Sequence, residues 1–327
     1  MGLKEYFEDI ATKVNSVMLS FLQGNIQELY GASRYLIEAG GKRLRPIMVV
    51  LAADILGGDQ TRALLAGAAV EVLHNFTLIH DDIMDQDALR RGLPTVHVKW
   101  GVPTAILAGD LLHAKAFEIL TESVKGLDSD RIYKAFSCFS KSVIIVSEGQ
   151  AMDMDFEKRW DVKEEEYIEM IRKKTAQLFA CSAYLGGLVA GGSEENLRNL
   201  YEYGENIGIA FQIVDDILGL TADEKELGKP VFSDIREGKK TILVIRALEV
   251  ANKKEREVIL EGLGSNDPVK IKETAQVLSS ISLTYAQSLA SHYYNKALSA
   301  LNSVEAKNTK ALEGLKEIAD LVIKRRK

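Results

Sequence analysis

Leu78-Ile79-His80-Asp81-Asp82-Ile83-Met84-Asp85 is an apolar run that turns acidic, and it closes a segment with helical periodicity. Upstream, Leu64, Leu65, Ala68, Val72 and Leu73 recur at the spacing of one helix face. Asp81 and Asp85 stand four residues apart, so on a helix their carboxylates leave the same face about one turn apart. A second acidic run, Asp215-Asp216-Ile217-Leu218-Gly219, follows Phe211-Gln212-Ile213-Val214 and puts Asp215 on the face of Gln212. Two acidic helix faces across a cavity are costly without a cation. Hard carboxylate ligands favour magnesium, which keeps its waters and is completed by substrate phosphates. The pair therefore predicts a diphosphate held between two helices.

The rest of the 327-residue chain agrees with helices. It has only 5 prolines, 46% hydrophobic and 27% charged residues, and abundant Ala, Leu, Glu and Lys. The spacing predicts helices over 105–122, 131–156, 164–190 (with a break near Gly186-Gly187), 195–220, 241–261, 269–281 and 284–304, and a last one at the C-terminal end. Residues 222–239 are polar and read as a long loop, a type that is often functional. No linker or repeat interrupts the pattern, so the expectation is an all-α chain in one domain, 1–327. A net charge of −6 argues against nucleic acid as a partner. Cys138 and Cys181 lack metal or disulfide spacing and read as reduced, packed thiols of a cytoplasmic protein. Met1-Gly2-Leu3-Lys4-Glu5-Tyr6 has no apolar signal core. Runs such as 105–109 and 143–146 are too short to cross a bilayer, so no integral membrane span is expected.

Basic residues flank the acids. Gly40-Gly41-Lys42-Arg43-Leu44-Arg45-Pro46 places three cations in a turn that opens a helix, and Arg90-Arg91-Gly92 follows the first acidic run. Glycines allow close approach of the backbone, while Lys offers a point charge and Arg a planar fork for phosphate oxygens. His74, seven residues before Asp81, shares its side of the helix.

These stretches, with Gly149-Gln150-Ala151-Met152-Asp153, Lys174-Thr175, Gly228-Lys229-Pro230 and Gly238-Lys239, resemble the trans-polyprenyl diphosphate synthases over residues 35–245. The first acidic run lacks a two-residue insertion, as in archaeal-type geranylgeranyl diphosphate synthases, including those that also make farnesyl diphosphate. The resemblance implies the isoprenoid synthase fold, antiparallel helices around a central cavity, and the polyprenyl synthetase domain. It implies a homodimer, with 105–120 as a contributing stretch. It assigns Lys42, Arg45, His74 and Arg91 to the diphosphate of isopentenyl diphosphate. Asp81 and Asp85 would ligate magnesium on the allylic diphosphate and Asp215 a further ion, roughly three in all, with Asp216 as an outer acid. Arg90, Lys174, Lys229 and Lys239 would neutralise the allylic diphosphate, Lys239 being preferred to Lys240. Thr175 and Gln212 would face the developing carbocation. The implied reaction joins isopentenyl diphosphate to dimethylallyl, geranyl or farnesyl diphosphate by ionisation, condensation and elimination.

Two positions depart from the family pattern. Gly219 stands where a third aspartate is usual, and Phe232 where glycine is common. Because Asp215 carries the metal role, Gly219→Asp is expected to alter turnover little. Leu73, Phe76 and Thr77 lie one to two turns before Asp81, where bulky side chains form the floor for the growing tail in related enzymes. One aromatic beside Thr77 implies a product of about twenty carbons, geranylgeranyl diphosphate, with leakage to farnesyl diphosphate. A class I terpene cyclase would not need Lys42, Arg45 and His74 for a second diphosphate. A regulatory subunit of a heteromeric synthase would have lost acids or basic clamps.

Overall fold

The structure, a computed structural model, describes residues 2–222 and 231–324. Lys229, one of the expected diphosphate ligands, lies outside the described residues. The elements in order are α1 (Leu3–Phe21), α2 (Gln27–Glu38), α3 (Leu44–Asp54), α4 (Gln60–Met84), β1 (Leu89–Arg90), β2 (Leu93–Pro94), α5 (Val96–Trp100), α6 (Val102–Val124) and α7 (Ser129–Phe156). They continue with α8 (Glu164–Ile171), a π-helical turn (Arg172–Ala176), α9 (Gln177–Val189), α10 (Glu194–Thr221), α11 (Ser233–Arg236), α12 (Ile242–Val250), α13 (Lys253–Gly262), α14 (Pro268–Asn302) and α15 (Thr309–Ile323). The described residues are thus all-α apart from one antiparallel hairpin, in which Leu89 faces Pro94 and Arg90 faces Leu93. Its turn, Arg91-Gly92, takes positive φ at both residues.

Helix packing divides the chain into two compact units. The first comprises residues 2–142, 178–204 and 299–318, and the second residues 143–222, without 178–204, together with 231–298 and 319–324. The first is built on α4, which packs against α1, α3 and α6. Asp59 caps α4 by accepting from the Arg62 N–H at 2.7 Å. Ala63, Ala66, Ala69, Val70, Val72 and Ile79 are fully buried along it. By length and composition alone α4 could cross a membrane, which the short runs weighed above did not reveal. Most of its apolar window is buried against the rest of the protein, the pattern of a core helix.

Arg43 shows how the first unit holds its basic loop. Buried and in the left-handed region, it donates to Asn15 Oδ1 (2.8 Å), Gly40 O (3.0 Å), Ile37 O (2.6 Å) and Glu71 Oε1 (3.2 Å). Leaving one partner of such a pair buried alone costs roughly 3–5 kcal/mol, so this cation is structural. Elsewhere in the unit, Cys138 and Cys181 are free thiols with sulfurs 3.3 Å apart.

In the second unit Tyr167 and Ile171 of α8, Ile213 and Ile217 of α10, Ile242 of α12 and Leu278 of α14 belong to one apolar cluster. Its helix ends depart from the sequence expectation for local reasons. The break expected at Gly186-Gly187 falls instead at the π turn; Gly186 serves packing, since a Cβ there would stand 2.2 Å from Val49 O in the first unit. The expected helix 241–261 is two, because Asn252 and Glu255 form reciprocal capping bonds of 3.0 and 2.9 Å that start α13 afresh. The expected pair 269–281 and 284–304 is one helix, α14. Ser282 sits inside it with its hydroxyl donated to Leu278 O at 2.7 Å. The loop 222–239 contains a short helix, α11, entered through Phe232 at φ 60°.

Candidate active site

In the first unit α4 carries the acids and the loop before α3 carries the cations. Gly40 and Gly41 have φ of 95° and 142°, which a side chain would strain. That turn lets Arg43 and Arg91 approach: a Cβ on Gly41 would meet Arg43 Nη1 at 2.8 Å and Arg91 Nη2 at 3.0 Å. Arg91 donates to Leu36 O at 3.1 Å and also to Gly40 O. Lys42 is exposed at the tip. Arg45, in the first turn of α3, donates from Nη1 to His74 Nε2 at 3.2 Å and stacks its guanidinium on Phe179, 4.2 Å from the ring centre. A guanidinium can only donate, so His74 accepts at Nε2 and carries its proton on Nδ1. Burial, with Arg45, Arg90, Arg91 and Arg43 facing it, holds His74 well below the usual histidine range and hence neutral. Arg43 and Arg90 are paired with Glu71 and Asp82, so the positive charge beside the neutral imidazole comes from Arg45 and Arg91.

Asp81 and Asp85 are half-buried at the C-terminal end of α4, where Asp85 N–H caps Asp81 O at 2.8 Å. The negative end of the helix dipole adds to their charge there and favours a cation. Asp82, between them, is 1% exposed and turned away to grip Arg90, at 2.6 Å from Nη2 and 2.8 Å from Nε. The expected phosphate ligand Arg90 is thus anchored by an acid that the sequence reading left without a role. Among the described residues no three His, Cys, Asp or Glu side chains converge on one metal position.

The residues expected to limit chain length separate. Leu73 is 1% exposed and closed into the core. Thr77 is half-buried and donates its hydroxyl to His74 O at 2.8 Å. Phe76 is half-buried and heads a column of rings: His113 at 5.1 Å, then Phe117 5.2 Å further and Phe139 5.1 Å beyond. His80 closes the other side of Phe76 at 4.9 Å. The sequence reading missed His113 and Phe117, although they stand four apart on α6.

In the second unit the π turn presents Lys174 and Thr175 beside α10. Lys174 Nζ bonds Asp153 Oδ2 at 2.6 Å, and Thr175 Oγ1 donates to Gln212 Oε1 at 2.8 Å. Gln212 Nε2 donates to Asp216 Oδ1 at 3.0 Å, and Tyr167 Oη donates to Asp216 Oδ2 at 2.6 Å. Burial, then Asp234 and Asp215, push the Asp216 carboxyl up to about 7 against the pull of those two bonds. Asp215 itself is half-buried. Lys239 is ion-paired with Glu237 at 3.0 Å; burial opposes its charge, but Glu237, Asp234 and Asp153 raise its pKa above the usual lysine value. Lys240 is fixed on Glu157 O and Gly238 O, both at 3.0 Å, and over the Trp160 ring.

Gly219 lines a cavity of about 10 Å³ with Asp216, Asp234 and Lys239, room for about one water. A Cβ on Gly219 would stand 2.7 Å from Asp234 Oδ2. That space is taken by a carboxylate from α11. Asp234, Asp153 and Tyr167 are thus further residues of this site; Asp153 was visible in the sequence only as the end of a motif, and the other two gave no signal alone.

The polyprenyl synthetase family model matches residues 26–281. The chain is 55% identical over 324 residues to a geranylgeranyl diphosphate synthase of Sulfolobus acidocaldarius, covering 98% of each. Among solved structures, a geranylgeranyl pyrophosphate synthetase from Pyrococcus horikoshii superposes with a TM-score of 0.91 at 40% identity, covering 98% of each chain. A polyprenyl synthase from Caulobacter crescentus, complexed with calcium and isoprenyl diphosphate, gives 0.91 at 31% identity over 99% of this chain and 97% of that one. The chain belongs to the polyprenyl synthetase family, and with it to the prenyltransferases and the isoprenoid synthase fold.

Proposed function

We propose that this protein condenses isopentenyl diphosphate head to tail with dimethylallyl, geranyl and farnesyl diphosphates and makes mainly geranylgeranyl diphosphate. The observation that carries this reading is the arginine-rich pole around His74, formed by Arg45, Arg91 and their neighbours. An enzyme that ionises a single diphosphate has no need of it beside its acids. The names of the relatives point the same way, as does the diphosphate held by the Caulobacter protein.

In this reading Lys42, Arg45, His74 and Arg91 hold isopentenyl diphosphate. Asp81, Asp85 and Asp215 are hard oxygen donors that suit magnesium, roughly three ions per site. Bound magnesium would supply Lewis-acid stabilisation of the departing diphosphate. Lys174, Lys239 and Arg90, with Lys229, neutralise that leaving group as the allylic C1–O bond breaks and the electron pair leaves with oxygen. Thr175 and Gln212 turn oxygen atoms toward the allylic cation. The double bond of isopentenyl diphosphate then forms the new carbon–carbon bond, and a proton lost from the adduct restores an alkene. Holding both substrates makes the encounter local. The site lies in a single polyprenyl synthetase domain of a cytoplasmic protein, consistent with two free thiols. A homodimer is part of the reading, because Val98, Val102, Ile106 and Leu107 are 43–57% exposed along α5 and α6.

The test is radiolabelled isopentenyl diphosphate with each allylic partner and magnesium, using the purified chain. An acid-labile twenty-carbon product is expected. A fifteen-carbon end product would make it a farnesyl diphosphate synthase, and no product without a second polypeptide would make it a regulatory subunit. Hydrocarbon formed without isopentenyl diphosphate would overturn the reading in favour of a cyclase.

A further inference from the structure

We propose that Tyr167 is a positioning residue: through Asp216, its hydroxyl fixes which way the side-chain amide of Gln212 points. This rests on the reading above, in which Gln212 and Thr175 meet the allylic cation. A glutamine amide can rotate half a turn and exchange its oxygen and nitrogen with almost no change in shape. Such a flip would turn an N–H dipole toward a carbocation where a carbonyl oxygen is needed.

The geometry removes that freedom. Asp216 accepts at both of its oxygens, from Tyr167 at Oδ2 and from Gln212 Nε2 at Oδ1 (3.0 Å), which places the amide nitrogen on its side. The carbonyl oxygen is then forced to the Thr175 side, where it accepts the Thr175 hydroxyl at 2.8 Å. Asp216 can enforce this only if its own plane is fixed. Oδ2 is fixed by Tyr167 at 2.6 Å, from a side chain that is 1% exposed and packed into the α8 face of the core. The chain Tyr167, Asp216, Gln212, Thr175 therefore runs from a buried core ring to the π turn, with each donor and acceptor role set by the one before. The π turn itself is an irregularity of the kind found at functional positions, and it places Thr175 at the end of the chain.

Tyr167→Phe deletes the first donor and keeps the ring. Its kcat is expected to fall about tenfold, with the KM for both substrates within about twofold, because the loss falls on the transition state. A second reading needs no activity: the Gln212 side-chain amide protons, followed by NMR in the ¹⁵N-labelled protein and assigned by their loss in Gln212→Ala. They should exchange with solvent at least about tenfold faster in Tyr167→Phe than in the wild type. Asp216→Asn, which can donate as well as accept, should also accelerate that exchange, and it serves if Tyr167→Phe does not fold. A lowered melting temperature with kcat and amide exchange both unchanged would reduce Tyr167 to a structural residue and overturn the proposal. If the wild type transfers no prenyl group, the proposed function fails, while the amide exchange still decides whether the lock exists.

Discussion

Phe76 and Gly219 show how much one side chain can decide. Phe76 heads a column with His113 and Phe117, so removing its ring opens space that the next ring bounds. Phe76→Ala is expected to lengthen the main product by about one five-carbon unit or more, since a cavity that cannot collapse stays available to an apolar tail. Reverse-phase chromatography of the dephosphorylated products checks this, and an unchanged distribution would remove Phe76 from the floor. At position 219 the structure reverses the sequence expectation. Gly219→Asp would push a carboxylate into space for about one water, against Asp234 and beside Asp216, whose charge is already disfavoured. Steady-state assays should show turnover reduced about tenfold or more, with partial recovery when Asp234→Ala is added. A rate equal to wild type would show that Asp234 gives way. The acids were legible because four-residue spacing is a helix property, whereas Asp234 was not: its value comes from a missing Cβ fifteen residues earlier.

At the scale of elements, the π turn and α7 meet closely. A Cβ on Gly149 would lie 2.3 Å from Lys174 N and 2.7 Å from Lys174 Cα. These are backbone atoms, which cannot rotate aside, so Gly149→Ala must move α7 or the turn. Either movement strains the Lys174–Asp153 pair, whose members sit on the two segments. The variant is expected to lose about 1–3 kcal/mol of stability, seen in urea melts, and to lose prenyl transfer more than isopentenyl diphosphate binding. Full activity with unchanged stability would mean that the contact is soft. Gly149 was visible in the sequence as part of a motif, but a motif does not say what its glycine approaches. Helix existence was legible from periodicity throughout, and helix ends were less so. Asn252 with Glu255 was a readable cap that a continuous apolar pattern concealed, and Ser282 offered a stop that its bond to Leu278 O cancels. The π turn left no periodic trace, because one inserted residue shifts the pattern without breaking it.

For the whole molecule the governing fact is that acids and bases are concentrated in each unit and largely satisfied by one another. Arg90 is held by Asp82, Lys174 by Asp153 and Lys239 by Glu237, while Asp81, Asp85 and Asp215 stay half-buried. In the first unit a diphosphate entering alone meets Asp81 and Asp85, and a magnesium ion entering alone meets the arginines around His74. Together each neutralises what repels the other, so binding should be cooperative. Inorganic pyrophosphate with magnesium at about 100 times its Kd would stabilise the fold by about 2.7 kcal/mol. For a chain of this size that corresponds to a melting shift of about 4 °C, whereas either component alone should give less than about 1 °C. Asp81→Ala and Asp85→Ala, both at the C-terminal end of α4, are each expected to remove most of the shift. If the two losses were each half and simply added, the two acids would act independently and a common metal–diphosphate unit on α4 would be ruled out. An equal shift with pyrophosphate in a chelator would instead assign the binding to the arginine pole around His74.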